Sequence, residues 1–595
     1  MTNFTTRPEI KGTFGVVTST HWIATAVGMS ILERGGNAFD AAVATGFVLQ
    51  VVEPHLNGPA GDLPVVYREA GEEPKVLCAQ GTAPAAATLE AMKALDLDMI
   101  PGSGLLATVV PGAFDGWLVL LRNQGTMELS DILAPAIDYL LNGYPILPAA
   151  SAAIKELLPF FQTHWPSSVD IWAPGGVVPE AGSLIRNVTL AKTWQRICEL
   201  AQGSTREERI DAARKAWSDG FIADTIADWL TAANVMDVTG KRNKAFLSRD
   251  DMKNWTARVE SPVSVKYHGW EIYKTGPWGQ GPVLLQALQI VKNFDLAAMD
   301  PMGPDFVHIV TEAIKLAWAD REAYYGDPDF FDIPLAELLS EGYGRERAKL
   351  IGERASLEQR PGVIPGFEAL VEAAIARAWR KLDIEDNPAT GEPTMAHLTD
   401  IRGDTVHLDI IDRYGNMVSA TPSGGWLQSN PIVPGLGFAL NSRAQMFWLD
   451  DGLASTLKPG ARPRTTLTPS LALHDDGRAL AFGTPGGDQQ DQWQLIWFLR
   501  FVHHGFDLQA GIDAPLFHSQ HFQSSFFPRQ AKPGRLMLEA SFGETTIERL
   551  KELGHEVIVS PANTIGRLTA ALRHPGGLMQ AAATPRLMQA YAIGR

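Results

Sequence analysis

The run from Asp404 to Asn416, DTVHLDIIDRYGN, restricts this chain more than any other stretch. Val406, Leu408 and Ile410 alternate with Thr405, His407 and Asp409, the period of a half-buried strand. Gly415-Asn416 supplies turn chemistry, and Met417 to Thr421 reads as the return strand of a hairpin. An ordinary core hairpin would carry the same pattern, so its neighbours decide what it is for.

Those neighbours form an ordered series. Gly15 to Thr18 reads as a short strand, and His21 to Arg34 carries a helical stripe at Ile23, Val27, Ile31 and Leu32. Gly35-Gly36 ends that helix, and Asn37 caps a second one running to Val52. Further on come Thr82-Ala83-Pro84, Pro111-Gly112, Pro135-Ala136, Ala319-Asp320-Arg321, Arg464-Thr465-Thr466 and Pro485-Gly486-Gly487. Taken in order from about Gly15 to the C-terminus, these segments resemble the gamma-glutamyltransferase family of N-terminal-nucleophile hydrolases. Thr405-Val406-His407 and Asp412-Arg413-Tyr414-Gly415-Asn416 match that family's "T-x-H" strand and "D-x-x-G-N" hairpin.

The resemblance implies an α/β (α+β) fold, a four-layer αββα sandwich, with a mainly helical region from about residue 149 to 245. It also implies a precursor that cuts itself between Asp404 and Thr405. The products would be a large chain, residues 1–404, ending in a flexible segment from about 361, and a small chain, residues 405–595. The two would stay together as one intertwined catalytic unit, and a homodimer is compatible with the resemblance. The chemistry gives the cut a reason. A Thr hydroxyl is a poor nucleophile until a base takes its proton, whereas a free α-amino group, titrating near ~7.7 to 8.0, can take it at neutral pH. Cleavage creates both groups on one residue.

Composition narrows the partners. Net charge is −16 and there is no basic run, which disfavours nucleic acid and anionic membrane, since both demand clustered Lys and Arg. Met1 to Thr13 lacks a signal-peptide pattern and no stretch reaches 18 uninterrupted apolar residues, so the expected setting is cytoplasmic. Cys78 and Cys198 are the only cysteines and have no paired spacing, which disfavours a zinc site or a disulfide framework. No His-Glu-x-x-His run or Walker loop occurs, and Gly276 to Gly281 is too Pro-rich for a dinucleotide fingerprint, so neither metal nor cofactor is expected. Trp165 to Gly182 reads as a Trp- and Pro-rich loop, a surface lid or a packing insert, and Ala369 to Leu382 as one helix.

Gly486-Gly487 lies between a strand and a helix, where bare amides and the helix N-terminus favour an anion. The resemblance makes it the oxyanion hole. It also sets Thr421 and Ser423 where the family has two Thr residues near the nucleophile, and makes Thr405, Ser423, Gly486 and Gly487 the catalytic set. His407 reads as structural, because the amine already serves as base.

The substrate-binding positions are Gln80, Thr421, Gln445, Thr465 and Thr466, and three departures stand out. Gln80 replaces the Arg that holds a glutamyl α-carboxylate, while Gly425 and Gln445 replace the Asn and Asp that hold its α-amino group. Each lost charged hydrogen bond removes about 1.5 to 3 kcal/mol. Arg443 and Arg464 are the candidates to replace the missing cation. The expected activity is hydrolysis of a small-molecule amide, glutathione-type or altered, through an acyl-Thr405 ester. The alternatives are an amidohydrolase for a non-glutamyl acid amide, as in the oxamate or beta-lactam acylase branches, and a homologue that only binds a ligand.

Overall fold

The computed structural model describes residues 4–378 and 405–595. Two seven-stranded sheets carry the fold. Across the first, the strands run Tyr591–Gly594, Gly15–Ser19, Leu408–Asp412, Met417–Ala420, Leu63–Arg68, Lys75–Ala79 and Arg258–Glu260. Across the second they run Ile10–Gly12, Met579–Ala583, Thr569–Arg573, Ala479–Gly483, Ser470–His474, Trp270–Lys274 and Val263–Tyr267. Strands from before residue 379 and after residue 404 therefore mix in both sheets.

Three apolar clusters define four layers. Val17, Val65, Leu408, Ile410 and Val418 pack one face of the first sheet against the helices Trp22–Glu33, Ala38–Val52 and Ala113–Gln124. Ile272, Ala472, Leu480, Phe482 and Ala570 pack the second sheet against Pro282–Val291, Pro304–Tyr324 and Gln490–His504. Val16, Val66, Ile411, Met417, Leu471, Ala481 and Ala571 fill the space between the sheets. Each fully buried aliphatic side chain contributes about 1.5 to 3 kcal/mol, so the order of the layers follows from which strand faces are apolar. A strand in a sheet covered on both faces has no wet side. The half-buried pattern expected at Leu408–Asp412 is accordingly buried at all five residues.

The hairpin pairs Leu408 with Ala420 and Ile411 with Met417. Asp412 explains why its turn reads D-x-x-G-N. Oδ1 accepts from the amides of Tyr414, Gly415 and Asn416 at 2.9, 3.0 and 3.1 Å. Oδ2 accepts from Asn416 Nδ2 at 2.8 Å and from the Ala38 amide at 2.9 Å, fastening the hairpin to the next helix. Gly415 has φ +95°, open to glycine at little cost.

One expectation changes. Trp165 to Gly182 packs as an insert, with Trp165 and Trp172 among the core residues of the helical layer, but it is not all loop: it contains the helix Pro166–Trp172. Residues 361–378, the first part of the segment expected to be flexible, make specific contacts. Gly362 donates to Asp320 Oδ1 at 2.7 Å, its carbonyl accepts from Tyr324 Oη at 2.6 Å, and Glu368–Ala378 is helical. The remainder of the expected flexible segment, the end of the expected 369–382 helix, and Asp404 lie outside the described residues.

Candidate active site

Thr405 is fully buried at the start of the central hairpin, where it forms an isolated antiparallel bridge with Ser423. The Val406 amide donates to Pro422 O at 3.2 Å, which brings the two hydroxyls together: Thr405 Oγ1 donates to Ser423 Oγ at 3.3 Å. Ser423 is itself fixed from three sides. Its amide donates to Asp62 O at 3.1 Å and its carbonyl accepts from the Asp62 amide at 2.8 Å. Its Oγ accepts from Trp426 Nε1 at 3.2 Å and donates to Leu56 O at 3.3 Å.

Strand alternation turns His407 and Asp409 toward the second sheet. His407 Nδ1 shares a hydrogen bond with Thr421 Oγ1 at 2.8 Å, and Nε2 one with Asp409 Oδ1 at 3.0 Å. Thr569 Oγ1, on the second sheet, donates to Asp409 Oδ2 at 2.7 Å. A Cβ on Gly483 would overlap the imidazole, so glycine there lets the sheets close around His407. The buried ring has both nitrogens engaged, a positioning role for strand and Thr421 alike.

Gly486 and Gly487 lead from the strand Ala479–Gly483 into the helix Gln490–His504 with φ +132° and +54°. At such a helix start the amides have no intrahelical acceptor. The next residue is clamped: Asp488 Oδ1 accepts from Arg321 Nη1 at 2.5 Å and Ser525 Oγ at 2.6 Å, and Oδ2 accepts from the Ser525 amide at 2.8 Å. Arg321 Nη1 also donates to Gln280 Oε1 at 2.8 Å, and Gln280 Nε2 to Gly487 O at 3.4 Å. Sequence reasoning marked Ala319-Asp320-Arg321 and Gly276 to Gly281 without giving them a role; this clamp joins them.

The expected substrate positions divide. Thr465 belongs with the Ser423 cluster, donating from Oγ1 to Asp62 Oδ2 at 3.3 Å. The Thr466 hydroxyl and both polar amide atoms of the Gln80 side chain are buried and have no hydrogen-bond partner among the described residues. Gln445 is spent on structure: Nε2 donates to Gly102 O at 3.1 Å and Ser442 O at 3.0 Å, and Oε1 accepts from the Phe527 amide at 3.1 Å. Gly425 adopts φ +66° against the Gly61 backbone. Arg464 is committed to Glu322 Oε1 at 2.7 Å and Arg321 O at 3.1 Å.

Two further groups escaped sequence reasoning. Asp62 is the hub linking Ser423, Thr465 and Arg443, and an isolated acid after a Gly-rich turn gives no pattern to find it by. Glu53, at the end of the helix Ala38–Val52, is buried with Thr20 Oγ1 donating at 2.6 Å and Gln589 Nε2 as second donor. Burial pushes its carboxyl up to about 7, against the pull of Thr20, Arg567 and Gln589.

That shift has a sign. The folded protein keeps the Glu53 proton where the unfolded chain has lost it, so the stabilisation is complete below the ordinary value of 4.5 and is lost as pH rises through about 7. Glu53→Gln is expected to flatten the pH dependence of urea-denaturation stability across this window by on the order of 1 to 3 kcal/mol. An unchanged profile would place the titration elsewhere.

Among the described residues, His308, Glu312 and His555 bring three metal-ligand side chains within 4.8 Å. Glu312 is already paired with Lys315 and Arg360, and His308 Nδ1 with His555 Nε2 at 2.9 Å, which suits a buried polar knot better than a dication. Burial pushes the Cys78 and Cys198 thiols up to about 11, so both remain protonated at neutral pH. No helix among the described residues is long and apolar enough to cross a membrane.

The gamma-glutamyltranspeptidase family model matches residues 24–594. The glutathione hydrolase-like YwrD proenzyme of Bacillus subtilis (strain 168) is 28% identical over 583 residues, covering 97% of this chain and 98% of the relative. The oxamate amidohydrolase proenzyme of Klebsiella pneumoniae is 28% identical over 585 residues, covering 96% and 97%. Among solved structures, LmbA2991HD is 47% identical with a TM-score of 0.91 and full coverage of both chains. The cephalosporin acylase from Bacillus halodurans is 27% identical with a TM-score of 0.82, covering 100% of this chain and 98% of its own. A family match over almost the whole length, on a four-layer sandwich with a Thr-led hairpin at its centre, shows that this chain belongs to the gamma-glutamyltranspeptidase family of amide-hydrolysing enzymes with the N-terminal-nucleophile fold.

Proposed function

We propose that the chain is cut between Asp404 and Thr405, and that Thr405, then N-terminal, hydrolyses the amide bond of a small molecule. The observation that carries this reading is the buried hydroxyl pair, Thr405 Oγ1 to Ser423 Oγ at 3.3 Å, at the start of the strand that holds the nucleophile in this family. The new amine takes the Oγ1 proton as the oxygen attacks the carbonyl carbon. Ser423 holds the hydroxyl in its rotamer. Negative charge on the carbonyl oxygen is met by the Gly486 and Gly487 amides, whose turn the Arg321 to Asp488 clamp keeps rigid. The leaving amine departs with the proton, and water then attacks the Thr405 ester and releases the acid. Residues 1–404 and 405–595 act together, since both contribute strands to each sheet.

The substrate is a glutathione-type amide or one with an altered acyl group. A non-glutamyl acid amide is the second reading, favoured by Gln80 in the place of a cation and by Gln445, whose side chain is held by backbone.

Intact mass of the denatured protein tests the proposal. Wild type is expected to give two fragments meeting at Asp404 and Thr405, and Thr405→Ala a single chain. A wild type that stays whole would have no free amine to act as base and would sink the mechanism.

A further inference from the structure

Arg443 opens the short turn Arg443–Met446 and is fully buried. Its Nε donates to Asp62 Oδ1 at 2.9 Å, and its Cζ lies 4.7 Å from the centroid of the Trp426 ring. Nη1 and Nη2 are buried and have no hydrogen-bond partner among the described residues. Two other buried arginines, Arg462 and Arg586, place these nitrogens differently. Arg462 gives Nε and Nη2 to Asp327 at 3.0 and 2.6 Å and Nη1 to Glu260 at 2.6 Å. Arg586 gives Nη1 to Ile512 O at 2.6 Å and Nη2 to Ala514 O at 3.2 Å. Leaving donors of a charged group buried and unmade is expensive, and a pair serving only stability would be satisfied as those two are.

The location supplies the second half of the argument. Asp62 pairs through its backbone with Ser423, whose hydroxyl accepts from Thr405 Oγ1, so Arg443 stands one residue away from the nucleophile's partner. Trp426, beneath the guanidinium, donates to that same Ser423 oxygen at 3.2 Å. Asp62 occupies only the Nε edge of the fork, and its other oxygen accepts from Thr465 Oγ1 at 3.3 Å, which fixes its orientation. The adjacent Thr466 hydroxyl is also buried and unpartnered. A planar group with two oxygens fits the remaining Nη1 and Nη2 edge in bidentate fashion.

The geometry points to a carboxylate-binding subsite formed by Arg443, with Asp62 as its positioning residue, which selects amides whose acyl group carries a second carboxylate. The inference rests on Thr405 being the nucleophile. The cation enters from the loop after the hairpin instead of from position 80, where Gln80 now stands. Among the described residues, the acid of this neighbourhood, Asp62, is already engaged by Arg443 and Thr465 and is not open to an ammonium group. An α-amino group is therefore not required of the substrate.

Two measurements test the subsite, one of them without turnover. With processed enzyme, kcat/KM is measured for glutaryl-p-nitroanilide and for the neutral pentanoyl-p-nitroanilide. Wild type is expected to favour the carboxylated substrate about 10- to 100-fold, the range for charged hydrogen bonds. Arg443→Met is expected to bring that ratio to about 1. Because this variant leaves Asp62 buried without its cation, the double variant Arg443→Met/Asp62→Asn removes both charges and is measured beside it. Calorimetric binding of glutarate, with butyrate as comparison, reads the subsite alone. Wild type should bind glutarate at least about 10-fold more tightly than butyrate, and the double variant should bind the two alike. Selective glutarate binding by a protein that hydrolyses neither anilide would retain the subsite and reject the catalytic reading. A ratio near 1 in wild type, or glutarate selectivity that survives in the double variant, would overturn the subsite.

Discussion

Thr405→Ala is expected to lower kcat/KM for amide hydrolysis by at least about 10⁴-fold, the scale on which deleting a nucleophile acts when the remaining machinery works only through it. Among the described residues, its hydroxyl neighbour Ser423 is not free to take over. Ser423 is bonded through its backbone on both sides and its Oγ receives the Trp426 indole, so it lacks both the free amine and the freedom to attack. The deletion also removes the hydroxyl that would open the precursor, so processing and turnover fall together. Thr405→Ser separates hydroxyl chemistry from side-chain packing: it keeps Oγ, and it is expected to process and to retain measurable turnover. Steady-state kinetics on the two variants, with fragment masses recorded for each, is the check. An alanine variant retaining more than about 1% of wild-type kcat would require a different nucleophile.

Gly486→Ala is expected to cost about 10² to 10³ in kcat, the effect of losing one oxyanion donor. The reason is steric and local. Gly486 has φ +132°, which L side chains rarely adopt, and a Cβ there would overlap the Trp493 ring. The turn must move to relieve both conflicts, and its amides move with it. Gly505 provides the comparison: it caps the same helix at φ +65°, and nothing lies within 4 Å of a Cβ added there. Gly505→Ala is expected to destabilise by about 1 kcal/mol while leaving kcat unchanged. Thermal melting beside kcat distinguishes a displaced amide from a misfolded protein. Equal kcat in wild type and Gly486→Ala would remove this turn from the oxyanion site.

Legibility in the sequence followed the range of the interactions involved. The hairpin, the helix pair around Asn37 and the Gly-Gly turn are encoded by near neighbours. Asp412 reaches three amides within four residues, and Asn37 accepts from Phe39 and Asp40, so short patterns identify them. The helix Pro166–Trp172 was hidden because Pro, Ser and Trp read as loop residues. Pro suits the first turn of a helix, however, and burial of Trp165 and Trp172 in the helical layer outweighs the propensity of the rest. The contacts of residues 361–378 were hidden for a similar reason. Their anchor is the Asp320 carboxylate 42 residues earlier, which no local composition reveals.

The candidate site divides along the same line. Thr405, Ser423, Gly486 and Gly487 stood out by residue type and by spacing within known motifs. Gln445 also stood out, yet its side chain is taken up by its neighbour Ser442 and by Gly102 and Phe527, which come from loops distant in sequence. Arg443 and Arg464 were indistinguishable as letters. Their difference lies in whether Glu322 or Asp62 faces them and in the Arg321 carbonyl that takes the second guanidinium nitrogen of Arg464 alone.

The sequence by itself therefore determined the order of the elements, the Thr-led hairpin and the glycine turn before the helix Gln490–His504, because backbone geometry and hydrophobic period act over a few residues. Tertiary structure alone decided which acid holds which arginine, which hydroxyls remain unpartnered and which tryptophans become core. Those outcomes depend on side chains brought together from up to several hundred residues apart, as Arg443 and Asp62 are across 381 positions, and burial sets their energies only once the layers have closed.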